Sequence, residues 1–239
     1  MLLNTEYMIR TFFLCLKAIP VTLNITVVST LLAFIPALFI ALGRVKGIKV
    51  VEVPGKLYVS FIRGTPIVLQ ILVIYSLVPS LLNAFFKGIG SSVNIFDINP
   101  ILYAYIVFAL NSVATLSEVF RSALTTVSRG QYEAGLSIGL SVAQTYRRII
   151  FPQAAVSAMP NVCTFTVTLI KNSSLAFMMT VKDITAVAKI EASYGYNYIE
   201  SYIDILFVYI IVCTLVQVLF RLAEKKLNFN GVKSGGIYA

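Results

Sequence analysis

Histidine is absent from these 239 residues, and acidic side chains number only 10 against 19 lysines and arginines. Without an imidazole the chain cannot build a histidine-dependent nucleophilic triad, and zinc and haem lose a principal ligand. Cysteine offers no substitute. Cys15, Cys163 and Cys213 lie far apart in apolar settings and no CxxC occurs, so each reads as a small hydrophobe and no disulfide is expected. Also missing is any G-x-x-x-x-G-K-[ST] loop to cradle nucleotide phosphates. There is no tandem repeat and no low-complexity tract.

What is abundant is apolar surface. Hydrophobic residues make up 58% of the chain and charged residues 12%, with a mean hydropathy of +0.87. That is outside the composition of a soluble domain. About 20 apolar residues cross a hydrocarbon core of roughly 30 Å as a helix. Five stretches qualify, at about 18–43, 66–86, 100–120, 154–181 and 202–222, the fourth interrupted by "LIKNSSL". The first is longer than a signal-peptide core and has no small-residue cleavage site before its following basic loop, so it is expected to be retained. The pattern predicts an all-α integral membrane protein with one transmembrane domain over residues 1–239.

Cytoplasmic loops collect lysine and arginine. One alternate set of loops holds Arg44, Lys46, Lys49, Lys56 and Arg63, then Arg121, Arg129, Arg147 and Arg148, then Arg221, Lys225, Lys226 and Lys233. The other holds only Arg10, Lys17, Lys87, Lys182 and Lys189. An outside N-terminus and a cytoplasmic C-terminus follow. The net charge of +9 is then a membrane-orienting and lipid-facing feature rather than a nucleic-acid surface.

The one large cytoplasmic segment is a soluble-looking stretch between the third and fourth spans. In "RGQYEAGLSIGL" Tyr132, Leu136 and Leu140 repeat every four residues, and Gly135 and Gly139 beside them remove bulk where another backbone could approach. Ser141 stands three residues before Gln144, a capping box that would start a second helix, "VAQTYRRIIF", ending at Pro152. Periodicity leaves two uses open: an amphipathic pair on the inner leaflet, favoured by Arg147 and Arg148, or a docking element for another protein.

Those residues resemble the EAA loop of permease subunits in bacterial ATP-binding cassette importers: Glu133, Ala134 and Gly135, then Gly139, Ile149, Phe151 and Pro152 at the family's spacing. Gly135 stands where the pattern has a third alanine, and Phe151 where it has leucine. "FIRGTP", "SEVFRSALTTVSRGQYEA" and "LIKNSSLAF" are similar to segments of polar-amino-acid permeases, with Asn172 and Ser173 departing from the usual Lys-Asp-Thr-Ser-Leu. The resemblance implies a type I importer with five spans, two permease subunits (two copies or a copy and a relative), two ATPase subunits and an extracellular or periplasmic amino-acid-binding protein. It also implies that ATP and Mg sit on the ATPase, that this chain binds no cofactor, and that the loop docks on the ATPase subunit.

Lys171 is a charge at membrane depth. It either meets a substrate carboxylate or closes an internal pair. Asn111, Ser112 and Thr115 in the third span, and Asn172, Ser173 and Ser174 in the fourth, form polar patches expected to face the subunit interior, as pathway or as interhelical glue. Thr65 and Gln70 are weaker pathway candidates, while Arg63, Gly64 and Pro66 beside them are expected to shape a helix start or bend. Glu118 and Arg121, three apart, can pair as a structural or gating link. The segment "VKDITAVAKIEASYGYNYIES" reads as an external loop, either solvated or touching the binding protein. A secondary carrier or channel is the rival reading, and it would need acidic or histidine residues buried within spans. A membrane enzyme is disfavoured by the missing nucleophile–base pair. The carried amino acid is left open, with a lean toward cystine or another neutral, zwitterionic one.

Overall fold

The computed structural model describes residues 3–90 and 95–229; Lys233 lies outside them. Five helices in it are long and apolar enough to cross a membrane, and the described residues contain no strand. In chain order the helices are α1 (Thr5–Val45), α2 (Lys49–Gly64), α3 (Ile67–Gly88), α4 (Pro100–Thr126), α5 (Arg129–Ser137), α6 (Val142–Thr145), α7 (Phe151–Asn172), α8 (Ile184–Gly195) and α9 (Tyr198–Phe229).

The starts are set by capping side chains. Asn4 accepts the Tyr7 N–H at 3.1 Å at the head of α1, and Asn99 accepts the Ile101 N–H at 3.0 Å with Pro100 in the first turn of α4. α1 and α4 form the central pair. Ala33, Ala37 and Ala41, one turn apart and fully buried, let their backbones approach. Ile25, Phe108, Leu116, Leu169 and Met179 fill the core around that seam. The outer faces of α1, α3 and α9 keep Ile35, Phe39, Leu77, Phe85 and Leu219 exposed, which only a lipid solvent makes inexpensive.

The basic and the lysine-poor loop sets fall at opposite ends of the bundle. At one end Arg44 and Glu118 meet beside the α5–α6 hairpin; at the other Arg10 pairs with Glu191 and Tyr7 OH lies 2.6 Å from Ser201 Oγ.

Two expected loops are helices. Residues 49–64, read as a charged loop, form α2, which lays Gly55, Val59 and Ile62 against α1 and α4. Its lysines had hidden a four-residue repeat. Tyr58 OH donates to the Leu110 carbonyl at 2.6 Å, so α2 rises along α4 toward mid-depth and α3 continues after a break at Thr65–Pro66. The segment read as an external loop likewise contains α8, which packs on α1 and α9 and buries Ile184, Ala188 and Ala192.

Asp183, outside the membrane-crossing helices, caps α8, its Oδ1 accepting the Ala186 N–H at 2.8 Å. The side chain is wholly buried, and burial pushes its carboxyl up from the ordinary 3.8 to about 6. With the folded value above the unfolded one, its stabilising contribution is complete below about pH 4 and is lost as pH rises through about 6. The thermal midpoint in detergent should therefore fall between about pH 4.5 and pH 7.5. Asp183→Asn, which keeps a capping oxygen, should flatten that slope.

Candidate functional site

The hairpin between α4 and α7 is built as the capping box requires. Ser141 Oγ accepts the Gln144 N–H at 3.3 Å, and Gln144 Oε1 accepts the Ser141 N–H at 2.9 Å. The two expected close-approach glycines part company here. Gly135 is buried, and a Cβ added to it would lie 2.7 Å from Thr145 Cγ2 and 3.1 Å from Ile149 Cδ1, so α5 and α6 touch at this point. Gly139 meets nothing; its φ of +84° serves the turn after α5, where Leu140 has already left the helix.

Pro152 does not end the second helix. Tyr146–Ile150 adopt a π turn, Phe151 N–H bonds back to the Tyr146 carbonyl, and the helix runs on through α7. A π register and a first-turn position absorb the missing proline N–H. Phe151, Tyr146 and Tyr132 stack edge to face at 5.7 and 5.9 Å, so the phenylalanine in place of leucine has an aromatic partner. Glu133, Ala134, Leu136, Ile138, Arg147 and Arg148 stay exposed, Ile138 by 75%. The tip is an unfilled apolar and charged surface.

Above the hairpin an ionic clamp joins α1 to α4. Glu118 Oε2 accepts from Arg121 Nη2 at 2.8 Å and Nε at 3.0 Å, and its Oε1 accepts from Arg44 Nη1.

The polar patches are split by helix geometry. Asn111 and Thr115 face Asn172 across a groove of 220 Å³ between α4 and α7, which Asn161, Thr164 and Thr168 also line. Ser112 and Ser173 point away and are fully buried, Ser173 Oγ donating to the Ile170 carbonyl at 2.7 Å. The spacing of 161, 164, 168 and 172 is a one-face stripe visible in the sequence. It goes unnoticed when adjacent residues are grouped, because neighbours on a helix point about 100° apart.

Lys171 and Ser174 take the next face and line a 680 Å³ cavity with Thr185, Tyr209, Cys213 and Thr214. Among the described residues the Lys171 side chain has neither ion pair nor hydrogen bond, so the internal partner weighed for it is not among them. Gln70 is engaged: its Nε2 lies 2.8 Å from the Ile62 carbonyl and 2.8 Å from Thr65 Oγ1, closing the break between α2 and α3. Gly64 ends α2 and Pro66 precedes α3, with Arg63 exposed beside them.

Five apolar crossings with a polar helical hairpin hung between two of them define a polytopic membrane subunit. The chain belongs to the family described as the binding-protein-dependent transport system inner membrane component, which matches residues 5–229. It is 37% identical over 212 residues to the L-cystine transport system permease protein TcyL of Bacillus subtilis (strain 168), covering 89% of this chain and 86% of that one. It is 36% identical to the probable amino-acid ABC transporter permease protein YckA of the same organism, covering 93% of each. An amino acid ABC transporter crystallised with histidines superposes with a TM-score of 0.78 at 28% identity, over 95% of this chain and 100% of that one. The protein is thus the permease subunit of an amino-acid ABC importer, a multi-pass cytoplasmic-membrane protein that is itself non-catalytic, ATP hydrolysis belonging to a separate ATPase subunit.

Proposed function

We propose that this permease, as one transmembrane domain with its N-terminus outside, carries a zwitterionic amino acid inward by alternating access. The partners would be two ATPase subunits bearing ATP and Mg, a second permease chain and an extracellular amino-acid-binding protein. The hairpin carrying Glu133, Ala134, Gly135, Gly139, Ile149, Phe151 and Pro152 docks on the ATPase. Its exposed tip, held on a rigid capped and aromatic-braced frame, suits that role.

One observation carries the substrate class: the α4–α7 groove sets the amides and hydroxyls of Asn111, Thr115, Asn161, Thr164, Thr168 and Asn172 among apolar Val119, Phe165 and Leu169 and holds no charged side chain. Such a surface takes a molecule without net charge and does not select for a cationic side chain. At 220 Å³ the groove is smaller than a usual ligand pocket of about 300 Å³ or more, so a second permease chain would supply the opposite wall. Lys171, on the neighbouring face and without a partner of its own, is the candidate counter-charge for the substrate carboxylate. Cystine is the lead substrate, supported by the likeness to a cystine permease.

In proteoliposomes holding the full complex, ATP-dependent uptake of radiolabelled cystine should drop about tenfold in Asn161→Leu and Asn111→Leu, since losing a polar partner costs about 1–1.5 kcal/mol. Binding-protein-stimulated ATP hydrolysis should persist in both variants. Uptake without ATP would replace this reading with the carrier one.

A further inference from the structure

The hairpin is joined covalently to α4 and, through the π turn, to α7. A third connection is not covalent. Lys46, in the turn that follows α1, holds its ammonium 4.6 Å from the centroid of the Tyr146 ring. Tyr146 is the centre of the aromatic stack, touching Tyr132 of α5 and Phe151 of α7. Leu42 and Val45, in the last turn of α1, pack into the same cluster.

The end of α1 is itself fixed. Arg44 is held by Glu118, Gly47 turns the chain at φ +66°, and Ile48 N–H returns to the Gly43 carbonyl at 2.9 Å. α2 departs at once with Val51 against Gly43, where an added Cβ would lie 2.3 Å from it. The last turn of α1 and the first of α2 therefore make one stiff corner, and Lys46 at its apex touches the hairpin where it passes into α7.

We propose that Lys46 and Tyr146 are positioning residues that carry displacement of the hairpin into the α1–α2 corner. The helices with no covalent link to the hairpin then follow the ATPase together with α4 and α7. This rests on the docking role given to the hairpin above. Lys46 is exposed, so replacing it disturbs no packing, and a cation over an aromatic face is directional enough to fix a position.

The test uses the full complex, with both permease subunits, the ATPase and the binding protein, in proteoliposomes. The measured quantity is amino acid transported per ATP hydrolysed, a ratio that mere loss of folded protein does not move. Lys46→Met should lower it about fivefold or more while basal hydrolysis stays within about twofold. Lys46→Arg and Tyr146→Phe should keep it, because charge and ring persist. An unchanged ratio in Lys46→Met, a collapsed ratio in Lys46→Arg, or failure of the Lys46→Met permease to co-purify with the ATPase each overturns the proposal. Gly135→Val run in parallel separates two failures. If it too leaves the ratio intact, the docking role is wrong; if it alone lowers the ratio, only the Lys46 connection is wrong.

Discussion

Gly135→Val is expected to abolish uptake while leaving the five crossing helices folded. A β-branched side chain at this position has nowhere to go: already the first added carbon would sit 2.7 Å from Thr145 Cγ2, 3.0 Å from Thr145 Oγ1 and 3.1 Å from Ile149 Cδ1. Overpacking of this kind costs ~1–3 kcal/mol in an ordinary core, and a short hairpin has few other contacts to offset it. α5 should swing away from α6, displacing Glu133 and Ala134 from the surface proposed to dock on the ATPase. Gly135→Ala should show a milder form of the same loss. Thr145→Ala in the same chain should reverse most of it, at the expense of the Thr145 Oγ1 hydrogen bond to the Ser141 carbonyl. Thr145 thus fills space that an alanine methyl would take in the usual pattern, so the Gly135 substitution and this threonine belong together. Uptake beside detergent thermal stability checks the point, and wild-type uptake in Gly135→Val would refute the packing argument.

Glu118→Ala should cost more than any other single charge removal. The side chains of Arg44 and Glu118 are only 10% and 20% exposed, and Arg44 Nε is already buried without a partner. Removing the carboxylate leaves two guanidinium groups facing each other in a half-buried site. Breaking a buried pair costs ~3–5 kcal/mol, discounted here because Arg121 is 39% exposed and partly screened by solvent. A loss of about 2–3 kcal/mol remains. It should appear as a lower thermal midpoint in detergent and as lost uptake. Arg121→Ala should cost less than about 1 kcal/mol, being the exposed arm of the clamp. Equal effects from the two variants would show that the α1–α4 link is not the important half.

The crossing helices were legible because lipid forces a continuous apolar run, and the hairpin because Ser141 and Gln144 announce a helix start whatever surrounds them. α2 was not. Lys49, Glu52, Lys56 and Arg63 break its hydropathy, although Val51, Gly55, Val59 and Ile62 recur on one face. The end assigned at Pro152 assumed an α register, and the π turn at Tyr146–Ile150 removes the conflict. Gly135 and Gly139 read alike in the sequence, since glycine serves both close contact and positive φ. The α4–α7 groove was half legible. Asn111, Thr115 and Asn172 were marked as polar, but Ser112 and Ser173 were grouped with them by adjacency along the chain, whereas a helix groups residues by face.

The π turn also fixes an angular scale. It is one of two irregular steps in the helix from Val142 to Asn172, the other being Pro160 within α7, and such steps are where helices bend. Beyond it, α7 extends 22 residues to Asn172, an arm of roughly 30 Å at 1.5 Å per residue. A swing of about 10° about that turn moves the far end by about 5 Å, one helical pitch. Asn161, halfway along, would move about half as far. A small rotation at that turn would then open, by leverage, a gap of side-chain width at the polar end of the groove.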